Sequence, residues 1–379
     1  MRVTRYRHLV STALGFLTAL SAFAEPGVLP DKILIGQSAG FTGAAAPQII
    51  DLTAGALAYF ALVNSQGGIH GRQIALESMD DAIDPKRTVE NTHRLITQKQ
   101  VFALFLYRGT PNVEAVLPII EQEKVPLVGP STGAQSMYAP VKRYLFPIRP
   151  SYQVDAEKII EHLTTIGIKK IAVFHEDGPF GKDVLAGLVT AAKRRGLVLI
   201  AVAAYPRGTT DVDSAVATIM QTDPAGIVVV GAANASAVFI KKVKALGKNP
   251  QFIALSNVSS AAFAADLGDA GRGVAVTAVT PYPYAPITPI AKEYNQALKE
   301  RPGSTPSYLS MEGYIAAKVM VEGLRRAGPT PTREKFVTAL ETLRHFDLGG
   351  VEVNYGPSER TGSNFIEITA IGSDGKYIH

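Results

Sequence analysis

Short apolar runs alternate with longer amphipathic segments through most of this chain. Residues 33–35 and 73–78 have the length and composition of β-strands. Residues 52–64 between them form a helix-like segment, which Gly67 and Gly68 are expected to end because a helix C-terminus often needs a positive φ. Asp84 and Pro85 begin another helix. This βαβ alternation predicts an α/β fold with parallel sheet covered by helices on both faces.

A second series of the same kind begins after residue 150. Its strands are predicted at residues 170–174, 197–203, 226–230 and 251–255, and its helices at residues 180–195, 212–221 and 235–246. Helical segments return at residues 308–326 and 332–343, and strand-like segments at 350–354 and 364–370 end the chain. We therefore expect two lobes built from discontinuous chain, with hinges near residues 146–150 and 280–283. Two independent domains on one linker remain an alternative, although no flexible linker separates the halves.

The first 24 residues have the pattern of a secretory signal peptide. Three arginines precede an apolar stretch from residue 9 to residue 23, and Ala22 and Ala24 provide the small residues that cleavage requires. A membrane anchor is the alternative, but the stretch is short and is interrupted by hydroxyl residues. We expect export to the periplasm with cleavage after Ala24.

The composition limits the classes of function. Loss of the leader arginines lowers the net charge from +5 to +2, which does not indicate a nucleic-acid-binding surface. The chain has no cysteine, so it cannot use a thiol nucleophile or a disulfide. With 46% hydrophobic and 19% charged residues it is globular, and its length suggests two domains.

One segment resembles the nucleophile elbow of serine hydrolases. Gly129, Ser131 and Gly133 satisfy G-x-S-x-G after a predicted strand. The elbow needs a long helix directly after the serine, whereas Pro140 interrupts the chain soon afterwards. We expect no catalytic residue here, and a hydrolase that uses Ser131 remains the less favoured alternative. The same loop, with its hydroxyls and backbone N–H groups, is suited to holding a carboxylate.

Two polar clusters suggest metal or cofactor chemistry only weakly. Asp80, Asp81 and Asp84 could surround a cation, but Asp84 already has a capping role and the others follow a strand. Glu176 follows His175 without the second histidine of H-E-x-x-H. No phosphate-binding glycine loop follows a strand. The sequence predicts neither a metal site nor a cofactor.

The segment from Tyr107 to Pro111 carries more information about a ligand. It follows the predicted strand at residues 101–106 and precedes a helix. Ligands of open α/β sheets bind at the carboxyl ends of strands, so Thr110 is expected beside the Ser131 and Thr132 loop. Two hydroxyl-bearing loops at neighbouring strand ends predict a binding site.

A series of short motifs occurs in order between Asp31 and His379. They are Ile35-Gly36-Gln37, Phe41-Thr42-Gly43, Asn64 with Gly67-Gly68-Ile69 and Gly71-Arg72, Asp80-Asp81 with Asp84-Pro85, Pro126 with Gly129-Pro130-Ser131-Thr132, Phe180-Gly181, and Glu312-Gly313-Tyr314. Each motif is weak alone, but their combined spacing is specific. With these motifs the sequence resembles a known family, the leucine/isoleucine/valine-binding proteins of bacterial ABC importers.

The resemblance implies a type I periplasmic binding protein fold, with two Rossmann-like lobes joined by a hinge of three crossings. The lobe limits expected for this chain are 25–148 with 281–348 for the first lobe, and 149–280 with 349–379 for the second. The resemblance also implies no enzymatic activity, a small-molecule ligand trapped on closure, and the membrane subunits of an ABC importer as partners. We expect a monomer; a binding protein that serves a signalling receptor is the rival interpretation.

Transfer of the family's site gives the predicted ligand contacts. The resemblance places Thr110 on the ligand carboxylate with Ser131 and the backbone of Gly133, and an aromatic side chain, Phe180, on the second lobe. Strand-end or hinge positions add further candidates: Thr132, Arg108, Tyr107, Phe41, Tyr152 and Tyr282.

Two positions depart from the family pattern. Ser256 stands where an acid would bind the ligand's α-ammonium, and Ala233 stands where an aromatic residue is expected. A buried ammonium needs a paired carboxylate. Either Glu176 or Asp177 therefore supplies that carboxylate, or the ligand is an aromatic or aliphatic acid without an α-amino group.

Overall fold

The computed structural model describes residues 25–301 and 304–379. The predicted signal peptide, residues 1–24, lies outside the described residues.

A five-stranded parallel sheet forms the centre of the first lobe. Its strands are β1 (Lys32–Ala39), β2 (Gln73–Asp80), β3 (Ala103–Phe105), β4 (Leu127–Val128) and β5 (Leu145–Phe146), and they lie in the order β2-β1-β3-β4-β5. The connecting helices are α1 (Ala46–Ser65), α2 (Pro85–Thr97) and α3 (Thr110–Gln122). The predicted βαβ series is confirmed. β5 occupies part of a segment predicted only as a hinge, because two apolar residues before a proline are too few to indicate a strand.

The second lobe repeats this plan with a wider sheet. Its parallel strands are β6 (Ile171–Asp177), β7 (Ala201–Pro206), β8 (Gly226–Val230), β9 (Gln251–Ala254) and β10 (Ala275–Ala278). Its helices are α4 (Tyr152–Thr165), α5 (Pro179–Arg194), α6 (Asp213–Met220), α7 (Ala233–Ala245) and α8 (Ala261–Leu267). β10 ends at Ala278, two residues before the segment 280–283 that was predicted as the second hinge. The predicted hinge therefore begins just after this strand.

The last part of the chain contributes to both lobes. It contains α9 (Pro289–Lys299), α10 (Tyr308–Ala327) and α11 (Arg333–Leu340), followed by a small antiparallel sheet of β11 (Phe346–Asp347), β12 (Glu352–Gly356) and β13 (Glu359–Gly362). The final strands, β14 (Glu367–Ile371) and β15 (Tyr377–Ile378), complete the second sheet in the order β15-β14-β10-β9-β8-β6-β7. β14 is antiparallel to both of its neighbours.

The apolar core of the first lobe includes residues beyond its last predicted limit, residue 348. Val351, Val353 and Tyr355 are buried in the first-lobe core, and the Tyr355 hydroxyl donates to the carbonyl of Pro147 at 2.8 Å. The alternation of side chains along β12 points Val353 and Tyr355 to the same face, which explains their common burial. We therefore propose that the third crossing follows Tyr355 rather than residue 348; the other lobe limits stay predictions.

Helix α1 is held in the first lobe by close packing against α10. A Cβ atom on Gly55 would lie 1.6 Å from the carbonyl oxygen of Ser310, and one on Gly313 would lie 1.8 Å from that of Leu52. Only glycine allows the two helices to approach this closely. Among the described residues α1 is the single helix long and apolar enough to cross a membrane, and here much of it is buried inside the lobe.

Candidate functional site

A cleft of about 640 Å³ lies between the two lobes. The carboxyl ends of strands from both sheets face it, as expected for open α/β sheets. First-lobe residues such as Thr42, Arg108 and Thr110 line one side, and second-lobe residues such as Glu176 and Asn257 line the other. The volume suits a small metabolite.

Three helices direct their N-terminal ends at this cleft. The N-cap residues Ala45 of α1, Gly109 of α3 and Ala232 of α7 all line it. Within the described residues, the alanine and glycine N-cap residues make no side-chain capping hydrogen bond at these three ends, and Asn234 accepts from a single N–H group of α7, that of Ala235. The first backbone N–H groups of a helix lack intrahelical partners and carry partial positive charge. The cleft is therefore electrostatically suited to an anion.

A buried arginine adds a full positive charge on the same side. Arg108, directly after β3, is only 9% exposed and lines the cleft. One of its terminal nitrogens, Nη2, donates to the carbonyl of Asn257 on the opposite lobe at 2.8 Å, and Nη1 donates to the Ser131 hydroxyl at 3.4 Å. Burial lowers the pKa of Arg108, but a guanidinium remains protonated in proteins. Arg108 thus presents a fixed cation and spans the lobes.

Behind Arg108 a chain of buried polar groups runs towards the second lobe. The Ser131 hydroxyl donates to Glu312 at 2.9 Å, and Arg149 lies 3.7 Å from the same carboxylate. Arg149 also donates to the Ser256 hydroxyl, which in turn donates to Asp155 at 3.3 Å. Burial raises the pKa of the Asp155 carboxyl. These groups pair with one another and fix the orientation of Ser131 beside Arg108.

As far as the structure describes it, the second-lobe wall contains one buried carboxylate. Glu176, at the end of β6, is 8% exposed, and burial raises the pKa of its carboxyl. Its Oε1 lies 3.7 Å from Nε of Arg207, and its Oε2 accepts from the Tyr205 hydroxyl at 3.4 Å. Arg207 follows β7 and also donates to the carbonyl of Ile83 in the first lobe at 3.3 Å. A second arginine therefore connects the two lobes.

Half of the sequence-predicted contacts lie on the wall of this cleft. The six are Arg108, Thr110, Ser131, Tyr152, Phe180 and Ala233. The rings of Tyr152 and Phe180 pack edge to face with centroids 5.3 Å apart and form an apolar part of the second-lobe wall. The position of these six residues is consistent with ligand contact, and their roles stay predictions.

Three further predicted residues stand behind the wall in the first lobe. Thr132 is fully buried, and its hydroxyl shares a hydrogen bond with the Thr110 hydroxyl at 2.7 Å. Tyr107 is buried in a first-lobe apolar cluster with Leu104, and its hydroxyl lies 3.0 Å from that of Thr92. A Cβ on Gly133 would lie 2.7 Å from the carbonyl oxygen of Pro150, so this glycine permits a close chain crossing. Their predicted placement on the wall is corrected.

The remaining three predicted residues are also absent from the wall. Ser256 is fully buried between Arg149 and Asp155. Tyr282 packs among other tyrosines, and its hydroxyl donates to the carbonyl of Tyr377 at 3.1 Å. Phe41 is half-buried; Asp80 accepts from the backbone and hydroxyl of the next residue, Thr42, which lies on the wall instead.

Some residues of the cleft wall were not indicated as site residues by any pattern in the sequence. Arg207 and Asn257 sit in loops after strands, and neither belongs to a recognisable motif. Glu176 was one of two candidates for an acid in the cleft, and only tertiary structure separates it from Asp177, which is exposed and lies 3.0 Å from Lys182. The position of a residue just after a strand is the one general feature that could have indicated Arg207 and Asn257.

The alternative chemistries find little support in the described geometry. Among the described residues, the hydrogen-bond partners of the Ser131 hydroxyl are Arg108 and Glu312, and no histidine is one of them. A single 3₁₀ turn follows at residues 135–137 in place of a long helix. Asp81 accepts hydrogen bonds from Ser38 and Thr88, and Asp84 caps α2. The carboxylates predicted as a weak cation cluster thus serve the local fold.

Comparison with known proteins agrees with this geometry. A family model described as periplasmic binding protein matches residues 32–376. Leu/Ile/Val-binding protein homolog 8 of Brucella suis biovar 1 (strain 1330) is 26% identical over 374 residues, which cover 94% of this chain and 90% of the relative.

Two solved structures resemble this chain over more than nine-tenths of its length. A substrate-binding periplasmic protein from Ralstonia solanacearum is 35% identical with a TM-score of 0.85, and the match covers 91% of this chain and 99% of that one. A possible leucine/isoleucine/valine-binding protein from Rhodopirellula baltica SH 1 is 29% identical with a TM-score of 0.87, and the match covers 92% and 96% of the two chains.

Proposed function

Because this chain belongs to the periplasmic binding protein family, we propose that it captures a small carboxylate-bearing ligand between its lobes and delivers it to an ABC importer. The predicted type I periplasmic binding fold and the predicted resemblance to leucine/isoleucine/valine-binding proteins are both confirmed. The family is a class of solute-binding proteins, and its members work with the components of ABC transporters.

The observation that supports a carboxylate ligand is the convergence of positive groups from both lobes on one cleft. Arg108 and the N-terminal ends of α1 and α3 face it from the first lobe, and the N-terminal end of α7 faces it from the second. A planar guanidinium matches a carboxylate with two parallel hydrogen bonds. The Thr110 hydroxyl also lies on the cleft wall and can act as a further donor, whereas the Ser131 hydroxyl beside Arg108 donates to Glu312.

Closure of the lobes is the mechanism by which such a ligand would be held. Arg108 and Arg207 already make contacts from one lobe to the other, so a ligand between them can bind both lobes at once. A ligand that contacts both lobes favours the closed arrangement by its differential affinity for it. We propose that the closed form docks on the membrane subunits of the importer, that the protein acts as a monomer, and that it catalyses no reaction.

The ligand itself is either an amino acid or an aromatic or aliphatic acid. The names of the Brucella and Rhodopirellula relatives favour a branched-chain amino acid. The location in the periplasm follows from the family, and cleavage after Ala24 remains our proposal. Mass spectrometry of the protein after export would test it, with loss of residues 1–24 as the expected result.

Thermal unfolding in the presence of matched ligands tests the carboxylate. A ligand that binds only the folded protein raises its melting temperature. We expect members of a panel of small acids to raise it, whereas the primary amide of each acid, which has the same shape without the charge, should not. Equal effects of acid and amide would contradict the proposal. Native mass spectrometry of the purified protein would identify a ligand carried through purification.

The same preparation tests for enzymatic activity. We expect no turnover of a chromogenic ester such as 4-nitrophenyl acetate beyond that of buffer. Turnover that disappears in Ser131→Ala would support the serine hydrolase instead.

A further inference from the structure

Among the wall residues that the structure describes, Glu176 is the buried carboxylate that could pair with a ligand ammonium inside the cleft. Two carboxylates line the cleft within the described residues. The other, Asp84, is exposed and accepts from the backbone N–H groups of Lys86 and Arg87 as the cap of α2. A buried ammonium requires a desolvated partner of opposite charge. Recognition of an α-amino acid would therefore depend on Glu176.

Glu176 already faces a cation. Nε of Arg207 is 3.7 Å from its Oε1, and the Tyr205 hydroxyl is 3.4 Å from its Oε2. The pair lies over Gly178: a Cβ there would be 3.2 Å from Oε1 of Glu176 and 3.5 Å from Cδ of Arg207. Both side chains therefore pack directly over this glycine.

Arg207 is held in this place from the opposite side as well. Its Nη2 donates to the carbonyl of Ile83 in the first lobe. The guanidinium therefore bridges the two lobes and pairs with Glu176 at the same time. A ligand ammonium at Glu176 would have to displace Arg207 or stand beside a second cation, and like charges in a partly desolvated site repel strongly.

From this geometry we infer that Arg207 is a specificity-determining residue. Because it pairs with the Glu176 carboxylate, the site selects carboxylic acids without an α-ammonium over the corresponding α-amino acids. This inference rests on the proposed function, since it presupposes that the ligand carboxylate binds in the cleft. It names the substrate class as aliphatic or aromatic monocarboxylates, for which the apolar wall formed by Tyr152, Phe180 and Ala233 provides contacts.

Isothermal titration calorimetry with two matched ligand pairs tests the inference. The pairs are 4-methylpentanoate with L-leucine, and 3-phenylpropanoate with L-phenylalanine; each pair differs by the α-ammonium alone. In at least one pair the unsubstituted protein should bind the acid at least about tenfold more tightly, as expected when a charged group loses its partner. Arg207→Met should reduce that ratio by about tenfold or more, because it frees Glu176.

Two further variants make the result specific. Lys182→Met removes a cation from the neighbouring exposed pair with Asp177 and should leave the ratio unchanged. The double variant Arg207→Met with Glu176→Gln should restore the preference for the acid, because the ammonium again lacks a carboxylate. Circular dichroism and thermal unfolding of each variant show that the fold is retained.

The outcomes separate this inference from the proposed function. A ratio that Arg207→Met leaves unchanged would overturn Arg207 as the determinant. Tighter binding of the amino acids by the unsubstituted protein would overturn the inference and leave the carboxylate-binding clamp in place. Absence of binding of all four compounds at millimolar concentration would overturn the carboxylate proposal on which the inference depends.

Discussion

Substitution of Arg108 by methionine should separate the charge of this side chain from its packing. Methionine retains a long apolar stem in a position that is only 9% exposed and removes the guanidinium. The substitution deletes the hydrogen bond to the carbonyl of Asn257 and the contact with Ser131. Glu312 keeps Arg149 within 3.7 Å, so this buried carboxylate retains a cationic neighbour. The variant is therefore expected to fold.

The expected loss of affinity follows from the kind of bond removed. A hydrogen bond to a charged group contributes about 1.5–3 kcal/mol, and each 1.4 kcal/mol changes a dissociation constant tenfold. Arg108→Met should therefore weaken binding of a carboxylate by roughly 10- to 150-fold. Arg108→Lys should lie between, because a lysine keeps the charge but lacks the planar pair of donors.

Calorimetry with an acid and its primary amide measures this effect directly. The probe is whichever of 4-methylpentanoate and 3-phenylpropanoate raises the melting temperature more. Arg108→Met should reduce binding of the acid while binding of the amide changes little, so that the two affinities approach each other. Arg143→Met is the matched control, because Arg143 pairs with Glu334 at an exposed position of the same lobe.

The reasoning would be refuted if the ratio of acid to amide affinity were the same in Arg108→Met and in the unsubstituted protein. Arg108 would then be a bridge between the lobes and not a ligand anchor. A variant that loses affinity for both ligands equally would indicate the same conclusion, since the loss would come from closure and not from the ligand's charge.

Three other perturbations give defined results. Thr110→Val, which removes the hydroxyl that meets Thr132, should weaken binding of the same acid by more than about 1 kcal/mol in calorimetry; unchanged affinity would exclude Thr110 from the site. Gly55→Ala would place a Cβ 1.6 Å from the Ser310 carbonyl oxygen and should lower the free energy of unfolding in urea by about 1–3 kcal/mol or more, whereas an unchanged midpoint would show that the helices adjust freely. Burial raises the pKa of the Asp155 carboxyl above its ordinary value of 3.8, so the protonated carboxyl stabilises the fold below pH 3.8, and this stabilisation is lost as the pH rises through the folded-state pKa. The stability of Asp155→Asn should therefore fall less steeply than that of the unsubstituted protein above pH 3.8. Parallel pH profiles of the urea midpoints of the two proteins would contradict this assignment.

Local patterns in the sequence were sufficient for the architecture. Alternating apolar runs and amphipathic segments predicted the βα series of both lobes, because the side-chain periods of strands and helices are properties of short segments. β8 at residues 226–230 agrees with its prediction at both ends, and α10 differs from its prediction by one residue. β5 and β10 escaped prediction because their strand character depends on neighbours in the sheet.

The site required tertiary structure. The sequence placed Thr110 and Ser131 at neighbouring strand ends, since parallel strands end at the same edge of a sheet. It could not decide that Ser256 and Tyr107 face the interior, or that Arg207 pairs with Glu176. Those outcomes depend on contacts between residues far apart in the chain and on lobes that meet only after folding. The sequence thus determined the fold and the edge where ligands bind, whereas the packing of the two lobes decided which charges face the ligand.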